Sequence, residues 1–205
     1  MKTIIFTLIL AAVLWFFMFV PLGLPYADFW LNMVFSVSLL AGIAILRGRR
    51  QDAPLYTFKP RYLLIGIGSA AALYFIFWLG NFIARFLFSF AGRNIADIYA
   101  PRWGVPLVPL ACALLWIGAA EEIFWRGFIQ RGLIRHYSKT KGYLVASFIY
   151  AAVHIVSLNL MLFLAALICG LFWGWMLQRY KSLWPVIISH ALWDIAVFVL
   201  LPLAR

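Results

Sequence analysis

The chain has 205 residues, of which 66% are hydrophobic and 11% charged, and its mean hydropathy of +0.99 lies well outside the range of soluble globular domains. The formal net charge of +11 is spread in short basic clusters between apolar runs, with no aromatic-interleaved polar patch of the kind that binds nucleic acid. These clusters point instead to topology and to anionic lipid headgroups, so the bilayer is an expected partner and nucleic acid is not.

At about 20 residues per span, a chain of this length holds about six to eight helices in one membrane domain. No run is polar enough to fold as a separate unit. The opening MKTIIFTLILAAVLWFFMFV has a single Lys2 before its apolar run and no small-residue cleavage pattern, so it reads as a retained first span. Further apolar runs follow at 29–46, 62–84, 105–120, 143–156, 160–177 and 183–201. The expected fold is therefore an all-α polytopic transmembrane bundle of about seven spans.

The connector 21–28 is almost uncharged, whereas 47–61 carries Arg47, Arg49, Arg50, Lys59 and Arg61. The positive-inside rule makes that second connector cytoplasmic, together with Arg126 to Lys141 and the pair Arg179 and Lys181. Alternation then places the N terminus in the cytoplasm and Ser157 to Asn159 in an outer turn; a prokaryotic plasma membrane is the expected location. The stretch 82–103, with Arg85, Arg93 and Arg102, dissents from this scheme. It is partly amphipathic and is expected in the membrane interface. The run 143–156 is short for a span, so a re-entrant pairing with the next run is an alternative.

Only six acidic residues occur in the chain, and two of them, Glu121 and Glu122, stand side by side between apolar runs. Buried charge in a bilayer costs several kcal/mol, so such residues carry a functional expectation. Glu122 and Arg126 form an i, i+4 pair in the favourable acid-then-base order, and a structural ion pair is the simplest account of them. Glu121 points about 100° away around the helix and has no such partner, so it can take a proton from water. His190 and Asp194 are also four apart and share a helix face. They can serve a developing oxyanion, or Asp194 can fix the tautomer of His190. His154 alone would be a satisfied core histidine; in this company it is a second base or an orienter for the same water. Counted from the nearest basic residues at about 1.5 Å per residue, all three elements reach depths of roughly 14 to 20 Å.

His136 sits in the basic segment RHYSKTK and reads as solvated surface. Cys112 and Cys169 lack CxxC spacing and read as small core residues. The numerous Trp and Phe residues are expected in lipid-facing or interfacial packing.

On these residues the chain resembles the CPBP family, the CaaX proteases and bacteriocin-processing enzymes, also called the Abi family. The EExxxR motif is matched by Glu121, Glu122 and Arg126, FxxxH by Tyr150 and His154 with Tyr in place of Phe, and HxxxN/D by His190 and Asp194. The resemblance covers 105–201 as a catalytic helical core, with 1–104 as N-terminal transmembrane helices. It implies an intramembrane endopeptidase in which Glu121 activates water with help from His154, His190 and Asp194 line the oxyanion site, and Glu122, Arg126 and Tyr150 support them. The substrate would be membrane-associated, either a lipidated or hydrophobic C-terminal segment or a leader or sorting segment, and the depths counted from the cytoplasmic basic residues place the cut near the cytoplasmic leaflet. Asp194 departs from the Asn of the CaaX endopeptidase branch, which makes a prenylated substrate less certain.

A metal-free mechanism with no cofactor is the preferred expectation, and no HExxH helix is present. The alternative is zinc held by Glu121, His154, His190 and Asp194. Two other functional classes remain open at this point: a non-enzymatic bacteriocin-immunity or regulatory membrane protein, and a small proton-coupled transporter.

Overall fold

The computed structural model describes residues 1–20, 26–47 and 55–203. Arg49, Arg50 and most of the connector 21–28 fall outside the described residues. The described chain is all-helical. Its elements are α1 (Lys2–Phe19), α2 (Tyr26–Arg47), α3 (Arg61–Leu87), the short α4 (Ala91–Tyr99), α5 (Leu107–His136), α6 (Lys139–Ala152), α7 (Leu160–Tyr180) and α8 (Trp184–Leu200).

Five of these helices, α1, α2, α3, α5 and α7, are long and apolar enough to cross a membrane, and α8 is a shorter apolar helix. The chain is accordingly a multi-pass membrane protein. The fourth apolar run does not stop near residue 120: α5 continues through the glutamates to His136. Between Ile123 and Gln130 it widens to a π-helix, a local form that recurs at functional sites. Helix α6 has 14 residues, about 21 Å of rise against a hydrocarbon core of about 30 Å. It ends in a turn at His154, followed by Leu158 in the left-handed region at φ 53.

Helix α8 packs between α3 and α5, α6 packs against α7, and α2 lies along α5. One buried apolar cluster draws residues from every long helix, including Trp15, Leu40, Leu73, Leu114, Trp173 and Val186. Two glycines permit close backbone approaches beside the polar residues. A Cβ at Gly118 would meet the backbone nitrogen of Ala191 at 3.0 Å, and one at Gly170 would meet the Ser147 carbonyl oxygen at 3.0 Å. Helix α5 thus touches α8 beside His190, and α7 touches α6 one turn before Tyr150.

The dissenting stretch 82–103 resolves into the end of α3 and the amphipathic α4, which buries Ala91, Ile95 and Tyr99 and exposes Arg93 and Asp97. His136 is exposed, as expected. Two expectations about packing are corrected. Cys112 is exposed and only Cys169 is a core residue. Trp78, Trp103, Trp116, Trp175 and many phenylalanines are exposed, as expected for lipid-facing or interfacial packing, but Trp15, Trp125 and Trp173 are fully enclosed and pack around the polar site.

Candidate active site

The polar side chains singled out from the sequence converge on one place. Glu121, Tyr150, His154, His190 and Asp194 all line a single cavity of about 610 Å³. Glu121 and Glu122 are 2% and 0% exposed, so each carboxylate depends on protein partners for its hydrogen bonds.

Glu122 holds two of the other elements together. Its Oε1 lies 3.0 Å from Arg126 Nη1 and 2.7 Å from His190 Nδ1. The expected pairing with Arg126 is present, and Glu122 rather than Asp194 is the group that meets His190 Nδ1. Arg126 also donates from Nη2 to the Cys169 carbonyl at 3.3 Å. Its guanidinium sits 4.4 Å from the Tyr150 ring centroid and 5.4 Å from that of Trp173, a doubly stacked cation in a dry setting.

Glu121 turns the other way, toward the cavity. Its Oε2 accepts from the Tyr150 hydroxyl at 2.9 Å and stands 3.9 Å from His190 Nε2. Its Oε1 has no hydrogen-bond partner among the described residues. His190 Nε2 also lies 3.4 Å from Asp194 Oδ2. The imidazole is fixed in orientation by stacking on Trp173, with centroids 3.7 Å apart and planes at 20°.

His154 lines the same cavity but is spoken for at both nitrogens. Nδ1 bonds the Tyr150 carbonyl at 2.9 Å, and Nε2 accepts from the indole N–H of Trp15 at 3.2 Å. Those partners define the tautomer: the proton resides on Nδ1 and the lone pair on Nε2 meets Trp15. Trp15 and Trp173 are the site residues that the sequence did not single out. Trp15 lies 139 positions from its partner, and no local pattern marks either indole among ten tryptophans.

The proposed zinc set fares differently as a geometric arrangement. Among the described residues no group of three or more His, Cys, Asp or Glu side chains could hold a metal ion. Both nitrogens of His154 are engaged, by Trp15 and by the Tyr150 carbonyl, so it offers no free lone pair to a metal ion. The four candidates do not fit a zinc site as they stand.

Fold and site together define a polytopic membrane protein with a buried carboxylate and histidine cluster at the meeting of α5, α6 and α8. Residues 103–196 match the family described as type II CAAX prenyl endopeptidase Rce1-like, in agreement with the resemblance of the three motifs to the CPBP proteases. The matched segment contains every one of those motif residues and omits α1, with Trp15. No curated protein and no solved structure matches the chain.

Proposed function

We propose that the chain is an intramembrane endopeptidase that hydrolyses a peptide bond of a membrane-anchored polypeptide, with Glu121 as the base that activates water. The observation that carries this reading is the gap between Glu121 Oε2 and His190 Nε2. At 3.9 Å it is too long for a hydrogen bond and suits one bridging water. A water there has a carboxylate beside it and opens on a cavity able to receive a substrate carbonyl.

In the proposed cycle Glu121 takes a proton from this water as its oxygen attacks the carbonyl carbon. Glu121 then returns that proton to the departing amine. Charge develops on the carbonyl oxygen and needs a donor. With Glu122 accepting from Nδ1, the imidazolium form of His190 presents Nε2–H for that purpose. Asp194, 3.4 Å from Nε2, orients the ring and balances its charge. The hydroxyl of Tyr150 holds Glu121, and His154 supports Tyr150 through its carbonyl. The contribution of His154 in this scheme is positional, since its lone pair is engaged by Trp15.

The mechanism is proposed as metal-free and the N terminus as cytoplasmic. The test compares processing of a membrane-anchored peptide library by the purified wild type and by Glu121→Ala, with and without a chelator. Cleavage by the wild type alone, resistant to the chelator, is expected. An identical pattern for both proteins would remove the endopeptidase reading, and reactivation of a stripped enzyme by zinc would remove the metal-free one.

A further inference from the structure

The cavity that reaches the site is not symmetric across the bundle. From Glu121, Trp173 and His190 at its base it runs past the C-terminal ends of α1, α3 and α8 and the N-terminal ends of α2 and α7, and reaches Asp97, Pro101, Ser157 and Asn159. Its lining is mostly apolar, with polar groups concentrated at the base and at that far end. The short α6 leaves room there, because the chain turns at His154 well before a full crossing.

Among the described residues, none at the opposite end lines the cavity. Below the glutamates lies a closed layer in which Phe124, Trp125, Ile129, Gln130, Met176 and Leu183 are all buried. Gln130 donates to the Gly174 carbonyl at 2.9 Å, sealing α5 to α7. Further out, Leu183 N–H bonds the Leu55 carbonyl at 3.0 Å, and a Cβ on Gly132 would collide with Ile4. These contacts bring the start of α1, the lead-in to α3, the end of α5 and the α7–α8 turn together at the closed end.

The basic residues are divided along the same axis. The closed end carries Lys2, Arg47, Arg61, Arg135, Lys139 and Lys181 at the helix termini, among others. The open end has Arg85, Arg93 and Arg102. Clustered Lys and Arg beside short connectors mark the cytoplasmic face. The open end is then the other face, and cutting near the cytoplasmic leaflet, expected from depth along the helices, does not agree with where the cavity leads.

We propose that the chamber is loaded from the non-cytoplasmic leaflet, by an apolar segment of a membrane-anchored polypeptide that enters between α4 and the turn at Ser157 to Asn159. The identity of the occupant rests on the endopeptidase reading; the direction of opening does not. An apolar channel of this size with polar groups at base and rim accepts an extended segment with apolar side chains. Asp97 and Asn159 at the rim meet the segment where it leaves hydrocarbon.

The test expresses the chain in a bacterial host as Cys112→Ser, with the buried Cys169 retained, and adds one cysteine at a time. Asp97→Cys and Ser157→Cys probe the open end, and Lys141→Cys probes the closed end. A membrane-impermeant maleimide applied to intact spheroplasts is expected to label the first two and to reach Lys141→Cys only after lysis. Labelling of Lys141→Cys in intact spheroplasts, with the other two protected until lysis, would overturn the proposal. Because Asp97 is an exposed position, it reads the same face even if Ser157→Cys disturbs the turn. In oriented vesicles, an anchored peptide displayed on the non-cytoplasmic face is expected to be cut and its inverted counterpart spared. Cutting of the inverted peptide alone would also overturn it. Labelling as expected with neither peptide cut would keep the outward opening and remove the endopeptidase reading.

Discussion

Replacing Glu122 by Gln removes the charge that faces Arg126 at 3.0 Å and His190 at 2.7 Å. The guanidinium would then lie buried beside a neutral amide, and breaking a buried pair of this kind costs about 3 to 5 kcal/mol. Glu122→Gln is therefore expected to lower the unfolding midpoint in detergent markedly, whereas Glu121→Gln, with no cationic partner of its own in hydrogen-bond range, shifts it little. Equal midpoints for the two variants would contradict the division of roles. Trp15→Phe keeps the ring packing and deletes the donor to His154 Nε2. Leaving that buried acceptor unpaired costs about 1 to 3 kcal/mol. A loss of this size should appear in denaturant unfolding, with cleavage reduced far less than in Glu121→Gln. No change in stability would mean that the Trp15 contact contributes nothing.

At the scale of elements, the approach of α5 to α8 decides whether Glu121 and His190 can share one water. Gly118 permits that approach, since a Cβ there would press on the Ala191 backbone at 3.0 Å. Gly118→Ala is expected to part the helices by a few tenths of an ångström and to reduce cleavage by about 10- to 100-fold, in line with the sensitivity of catalysis to misplacement. Gly68→Ala in α3 meets nothing within 4 Å and serves as the matched control, with activity unchanged. Equal activity in the two alanine variants would show that the α5–α8 contact does not set the site. The same contact explains part of what the sequence revealed. The paired glutamates, the histidines and Asp194 stand out because charge is scarce in apolar helices, and helical spacing correctly paired Glu122 with Arg126 and His190 with Asp194. Spacing within one helix says nothing about partners from another. Glu122 meeting His190, Tyr150 meeting Glu121 and Trp15 meeting His154 are all contacts between helices, and hydrophobic tryptophans carry no local mark of a polar duty.

For the molecule as a whole, hydropathy made the membrane-spanning, all-helical class legible because a bilayer demands continuous apolar helices whose backbone bonds close on themselves. It placed most helix ends within a few residues, with α5 the exception. The apolar run at 105–120 stops well short of the end of α5 at His136, because after the glutamates the helix is held by burial against neighbouring helices rather than by hydropathy. Nor did depth along single helices reveal the direction in which the chamber opens, a property of how all the helices close around it. One side is sealed by the layer around Gln130 and the other leads to α4. The central claim remains that this enclosed site is hydrolytic and that Glu121 is its base. The measurement that bears on it most directly is the cleavage rate of a membrane-anchored peptide by Glu121→Gln, set against wild type in preparations of matched thermal midpoint. The expected result is a drop of about 10²- to 10⁴-fold, the usual contribution of a general base. A rate within a few-fold of wild type would contradict it.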